Sequence, residues 1–326
     1  SGPLPDRAAF RHAPYDLPLP PAIERAPALV TVVEQAELLI ALDRAGMVSL
    51  CRTVAEIEAA MISGRLAAVM HIEGAEAIGP DLEGLDVLYA AGLRSIGPVW
   101  SRPTVFGHGV PFRYPSDADT GPGLTPAGKA LARRCRQLGM VFDTSHLNMR
   151  GFGDVAEEGL PLVATHSNAH AICPTARNLT DEQLRAIGQT GGMVGLNYGV
   201  FFLRPDGGIA PEDTLSLCVD HLAHMIEIAG EDHVGLGSDF DGAPCPPEMG
   251  WQVRRLQSEA DCLPHVAAWN ALSDDVPFRR WEWLGAWWRH FGHDQELYVL
   301  LVTDARGRTR GIAPWYRTPG HDTIRC

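Results

Sequence analysis

The sequence predicts an α/β protein with a parallel sheet, in the style of a (β/α)8 barrel, followed by a separate C-terminal segment. Three observations predict it. Short apolar runs alternate with amphipathic helical stretches between residues 66 and 237, the pattern of βα units on a parallel sheet. Three of the runs end on a residue able to bind a metal: Glu73 in Val69-Met-His-Ile-Glu-Gly74, His146 in Val141-Phe-Asp-Thr-Ser-His146, and His166 in Leu162-Val-Ala-Thr-His-Ser167. Composition then changes near residue 265, beyond which lie Trp269, Trp281, Trp283, Trp287, Trp288 and Trp315, six of the eight tryptophans.

Residues 1–27 are Pro-rich and read as an extended lead-in. Ala28–Gly46 has helical apolar spacing with Gly46 as its stop, and Thr53–Ser63 reads as a second helix capped by Thr53. Leu66–Ile72 is the first strand, Leu82–Ala91 a helix and Leu93–Trp100 the second strand. A loop rich in Pro, Gly and aromatics fills 101–123. Thr125-Pro126 opens a helix that runs to Gly139, with Pro at the favoured first position. Met140–Phe142 and Leu162–Ala164 are strands, and Thr180-Asp-Glu-Gln183 has capping-box spacing. Gly192–Asn197, the helix Thr214–Ala229 and the strand His233–Gly237 complete the series. That makes six strands where a closed barrel needs eight.

The chain has 326 residues, 45% of them hydrophobic and 21% charged, ordinary proportions for a globular protein. Its formal net charge of −13 argues against nucleic acid and anionic membrane surfaces as partners. The seven cysteines are odd in number and include no Cys-x-x-Cys, which argues against a disulfide framework or a thiolate zinc site and suits a reducing cytoplasm. No apolar run reaches the length of a membrane span, and no signal peptide is evident. The start at Ser1 rather than Met leaves room for further sequence upstream.

In a parallel barrel the chemistry gathers at the C-terminal ends of the strands. Position there singles out Glu73, His146 and His166, together with Asp239 in Gly237-Ser-Asp-Phe-Asp-Gly242. A carboxylate and two imidazoles are the raw material of a metal site, and a fourth strand-end carboxylate can serve as acid or base. His71 and His170 read as packing residues or as supports for the ligands. His221 and His224 fall at i, i+3 spacing on a helix expected to be exposed. Arg177 is a cation able to hold a substrate carboxylate, or simply a solvated loop residue.

Several strings resemble the membrane (renal-type) dipeptidase family, peptidase family M19, among the amidohydrolase-like barrels. They are His71-Ile-Glu-Gly-Ala-Glu76, Gly92-Leu-Arg-Ser-Ile-Gly-Pro-Val-Trp-Ser-Arg-Pro103, Asp143-Thr-Ser-His146, Ala164-Thr-His-Ser-Asn168, Arg177-Asn-Leu-Thr-Asp-Glu-Gln183 and Gly235-Leu-Gly-Ser-Asp-Phe-Asp-Gly242. The resemblance covers residues 1–262, weakly at the start. It implies a zinc-dependent dipeptidase in which a metal-activated hydroxide attacks the peptide carbonyl. Glu73 would bridge two zincs, His146 and His166 would bind the second, Arg177 would hold the substrate's C-terminal carboxylate and Asp239 would transfer a proton. Two departures matter. No suitable His-x-Asp, the family's first-metal motif, occurs here, so the barrel would lack its first two strands and this chain would hold at most one zinc. Trp100 stands where many members carry a histidine, and its indole N–H would face the substrate.

The expected domains are therefore an N-terminally incomplete dipeptidase-like barrel over 1–265 and a Trp-rich segment over 266–326. In the latter, Trp269-Asn-Ala-Leu-Ser273, Pro277-Phe278, Trp287-Trp-Arg-His-Phe-Gly292 and Gly311-Ile-Ala-Pro314 resemble the opening of a GNAT-like acyltransferase domain without its acyl-CoA pyrophosphate loop. The leading functional reading is hydrolysis of dipeptides, weakened by the missing ligands. The alternative is a non-catalytic relative that binds one metal or none, and an acyltransferase fragment is a third. The expected partner is a dipeptide; a homodimer stays open.

Overall fold

The computed structural model describes residues 7–10, 12–210, 214–243, 245, 252–273, 280–303, 308–317 and 324–325. The chain divides into two compact units, Ser1–Pro244 and Cys245–Cys326.

In the first unit the lead-in is anchored. Strand β1 (Tyr15–Asp16) is antiparallel to β6 (Arg113–Tyr114) in the long loop, and Phe10, Tyr15, Phe112, Phe201 and Phe202 form an aromatic cluster around the pairing. Helix α1 (Arg25–Arg44) starts three residues before its expected first residue. Strand β2 (Ser49–Leu50) follows, an element missed by sequence reading because Met47–Cys51 is too short to show a period. It pairs in parallel with β3 (Ala67–Ala68), across helix α2 (Val54–Ile62). Thr53 caps α2 in a capping box with Glu56, as the sequence predicts.

The predicted strand 66–72 is broken at Val69 into β3 and β4 (Met70–Glu73). Helix α3 (Leu85–Ala91) is shorter than predicted, because Leu82 and Gly84 both take left-handed backbone. Strand β5 (Leu93–Gly97), helix α4 (Pro126–Leu138) and strand β7 (Val141–Phe142) follow. Thr125 caps α4 and Gly139, at φ 65°, ends it. Helix α5 (Met149–Glu157), capped by Asn148, leads to β8 (Val163–Ala164). Helix α6 (Asp181–Gln189) carries the predicted Thr180–Gln183 capping box. Strand β9 (Met193–Leu196), helices α7 (Val200–Leu203) and α8 (Thr214–Ala229), and strand β10 (Val234–Leu236) complete the unit.

All pairings of β2 to β5 and of β7 to β10 are parallel, and they follow chain order. Strands β4, β5 and β7 form one sheet and β8, β9 and β10 another, with a single bridge from Asp143 to Val163 joining β7 to β8. Among the described residues the sheet does not close into a barrel. Leu93, Ile96, Phe142, Leu162, Ala164, Val194 and Leu196 line its core at no more than 1% exposure, which is why these short strands read as continuous apolar runs. Two glycines let the strand ends close up: a Cβ on Gly195 or Gly237 would lie 2.1 or 1.9 Å from the Thr165 carbonyl oxygen. No described helix is long and apolar enough to cross a membrane.

His221 overturns the expectation of an exposed helix face. It is fully buried; its Nδ1 accepts from Ala169 N–H at 3.0 Å and its Nε2–H donates to the Leu203 carbonyl at 2.9 Å. His224 instead pairs with Asp181 at 2.8 Å.

The second unit is an antiparallel sheet of β11 (Gln252–Leu256), β12 (Glu296–Thr303), β13 (Thr309–Arg317) and β14 (Ile324–Arg325), with helices α9 (Glu259–Cys262), α10 (Val266–Ala271) and α11 (Trp281–Phe291). Pairing of β11 with β12 draws residues before 265 into this unit, so the division falls earlier in the chain than composition suggests. Trp269 and Trp281 meet edge to face, 5.0 Å apart, in a core with Leu256, Leu297, Val299 and Leu301, and Trp288 packs against it. Pro277, Phe278 and the Trp315 side chain lie outside the described residues.

Burial pushes the His221 imidazole down to about 4, whereas an unfolded histidine titrates near 6.5. Between these values the unfolded chain binds the extra proton. Stability from this group is therefore complete above pH 6.5 and is lost as pH falls toward 4, by up to about 1.4 kcal/mol per pH unit. Denaturant titrations at several pH values should show that His221→Gln removes that share of the slope; an unchanged slope would contradict it.

Candidate metal centre

The site is built where β4, β7 and β8 end. Glu73 is the last residue of β4 and lies opposite Gly97 of β5. His146 follows β7 by four residues and adopts φ 66°, a left-handed backbone that histidine tolerates better than most residues. Its carbonyl accepts from Val110 N–H at 2.8 Å, and its ring is 5% exposed. His166 follows β8 by two residues, and its N–H donates to Ser145 Oγ at 3.1 Å.

The three side chains converge. Glu73 Oε1 lies 3.0 Å from His166 Nε2 and 3.2 Å from His146 Nε2, and the two Nε2 atoms are 3.2 Å apart. The other ring nitrogens are tied off: His146 Nδ1 to Ser101 Oγ at 2.9 Å, and His166 Nδ1 to Thr165 Oγ1 at 2.8 Å. Burial and the nearby Arg177 charge push His146 down to about 3. Burial alone would raise Glu73, but its hydrogen bonds and charge pairing with the two histidines hold it well below the usual carboxylate range. Two imidazole nitrogens and a carboxylate oxygen, all within 4.8 Å of one another, are a donor set that suits zinc or a similar transition ion. Of the described residues, these three form the group able to hold a metal. Cysteine is not part of it: burial pushes Cys135 and Cys173 up to about 12.

Asp239 lines a cavity of about 300 Å³ with Glu73, His166, His71 and Asp241. It also has left-handed backbone, φ 62°, and its Oδ2 accepts from Asn197 Nδ2 at 2.8 Å. Burial raises its carboxyl, against the opposing pull of His166, Asn197 and Arg177. A second cavity of about 600 Å³ meets Glu73 and His71 from the side of α1, with Glu76 and Arg102 in its wall.

Arg177 is buried, not solvated. It donates to Ser167 Oγ at 2.9 Å and to the His166 carbonyl at 2.8 Å, and faces Phe202 at 5.6 Å. Burial lowers its pKa, while the charges of Asp239, Glu73 and Asp143 oppose this. Trp100 is half-buried with its ring 5.8 Å from that of His146 and 5.2 Å from the Arg102 guanidinium. His71 binds Ser95 Oγ at 2.8 Å, and His170 binds the Ser116 carbonyl at 3.0 Å, so both serve as ties. Sequence reasoning missed Ser101, Thr165 and Asn197, which hold His146, His166 and Asp239, and Asp143, which holds Thr165. Their signal was adjacency: three flank a candidate within the same short strings.

The model of the membrane dipeptidase family, peptidase family M19, matches residues 17–258. A metallo peptidase from Rhodobacter sphaeroides, solved with a phosphinate mimic of the dipeptide L-Ala-D-Ala, is 48% identical and superposes with a TM-score of 0.73 over 84% of this chain and 77% of its own. An uncharacterized protein encoded in the pqqA 5′ region of Klebsiella pneumoniae is 50% identical over 238 residues, 73% of this chain and 88% of that protein. The dipeptidase tcpJ of Claviceps purpurea is 30% identical over 184 residues, 56% of this chain, and the match spans only 41% of the fungal protein.

Replacing His166 by Ala should abolish stoichiometric zinc binding, measured by equilibrium dialysis and metal analysis, because two donors do not make the site. Retention of one zinc per chain would refute the assignment. On the strength of the family match and the shared fold, the chain belongs to the membrane dipeptidase family, peptidase family M19.

Proposed function

We propose that the first unit hydrolyses dipeptides, using one zinc held by Glu73, His146 and His166. The observation that carries this reading is the convergence of those three donors beside Asp239 on one cavity. The Rhodobacter relative, solved with a dipeptide mimic, supports the substrate class. A bound zinc would acidify water and polarise the peptide carbonyl.

The chain's own residues supply the rest. Asp239 is the proton-transfer group: burial raises its carboxyl above the ordinary carboxylate, and the Asn197 bond on Oδ2 leaves Oδ1 to exchange a proton with the substrate. Arg177 attracts the substrate's C-terminal carboxylate. Its charge is buried beside the site, and its Nε has no hydrogen-bond partner among the described residues. Trp100 forms an apolar wall against the substrate from the His146 side. The barrel architecture, and the reading of the second unit as a GNAT-like fragment, belong to the same proposal.

A second reading is favoured by one observation. The described residues offer a single three-donor group, where the family resemblance implies two zincs. On that reading the chain binds one metal or none and does not turn substrate over. Assay of L-Ala-D-Ala hydrolysis with added zinc separates the two. We expect turnover below the typical enzyme value of about 10 per second. Asp239→Asn should lower kcat a further 10²–10⁴-fold, the usual worth of a general acid–base group, with zinc content unchanged. An active Asp239→Asn variant would remove Asp239 from the mechanism, and a zinc-loaded protein without turnover would establish the second reading.

A further inference from the structure

Asp143 lies 1% exposed beneath the metal centre and touches none of the three ligands directly. Its carboxylate is saturated by the two strand ends that carry the histidines. Oδ1 accepts from the N–H groups of Ser145, at 2.9 Å, and Thr165, at 3.0 Å. Oδ2 accepts the Thr165 hydroxyl at 2.5 Å, and His71 Nε2 stands off at 3.9 Å.

The direction of the next bond follows. A threonine hydroxyl has one proton, and an ionised carboxylate can only accept. Thr165 gives its proton to Asp143, so its oxygen must accept from His166 Nδ1, 2.8 Å away. Ser145 Oγ, the alternative partner for Thr165, is 3.5 Å away and already accepts from His166 N–H. With Nδ1 carrying the proton, the lone pair of His166 is on Nε2, the atom 3.0 Å from Glu73 and 3.2 Å from His146.

We propose that Asp143 is the positioning residue of the metal centre: through the Thr165 hydroxyl it holds His166 in the tautomer that presents a bare Nε2 to Glu73 and His146. The same carboxylate, gripping Ser145 N–H and Thr165 N–H, sets the spacing of the two histidine-bearing loops. Ligating histidines commonly donate their other ring N–H to such a support, and loss of the support typically costs 10–100-fold in metal affinity. The inference rests on reading Glu73, His146 and His166 as metal ligands.

The test uses the full chain and zinc alone, titrated against a chromophoric chelator. Thr165→Val, which keeps the shape and removes the hydroxyl, should weaken zinc binding 10–100-fold at unchanged stoichiometry. Thr165→Ser, which restores a hydroxyl, should restore affinity. Nitrogen-15 NMR should show His166 Nδ1 protonated in the wild type and no longer uniformly so in Thr165→Val. Asp143→Asn, where it folds, should match Thr165→Val. Unchanged zinc affinity in Thr165→Val, no rescue by Thr165→Ser, or an unprotonated Nδ1 in the wild type would overturn the proposal. Should the wild type bind no zinc, the metal reading fails, and the NMR result alone still decides whether Asp143 and Thr165 set the tautomer.

Discussion

Parallel pairing in register is the constraint on which the site depends. Strand β4 pairs with β5, β5 with β7, and Asp143 bridges to Val163 at the start of β8. Parallel neighbours bring their carboxyl ends to one level, so Glu73 at the end of β4 meets the two histidines on the loops that leave β7 and β8. The close approach of Gly195 and Gly237 to the Thr165 carbonyl keeps β8, β9 and the end of β10 tight enough to hold that level. A one-residue slip of β4 would turn Glu73 to the other face of the sheet.

Charge balance is the second constraint. Asp143 and Arg177 are both buried, at 1% and 3% exposure, and Glu73 and Asp239 lie close by. A buried charge is tolerated only when paired and hydrogen-bonded. Here three carboxylates offset one guanidinium, leaving room for a cation among the donors. The bare Nε2 proposed for His166 and the Glu73 carboxylate oxygen, 3.0 Å apart, would repel one another without a cation or proton between them.

Much of this was legible in the sequence because the strands are short, apolar and end abruptly. Glu73, His146, His166 and Asp239 could be chosen by position alone, and the caps at Thr53, Thr125 and Thr180 announced their helices. Strand β2 was not legible, since two residues carry no period, and helix α5 was hidden by its glycines. His221 misled because its buried role depends on two backbone partners distant in sequence, the Ala169 N–H and the Leu203 carbonyl. Arg177 looked solvated for the same reason: only the fold reveals that it holds the His166 carbonyl. Asp143 and Thr165 were in view within the motif strings but have no ligand role of their own. Their importance lies in the direction of a hydrogen bond, which requires coordinates.

The most direct test of the metal centre is X-ray absorption spectroscopy of the zinc-loaded protein, compared with its His146→Ala variant. The account predicts two imidazole nitrogens at about 2.0–2.1 Å with oxygen as the remaining zinc ligands, falling to one imidazole in the variant. A sulfur shell at about 2.3 Å, or an imidazole signal that the variant leaves intact, would contradict it.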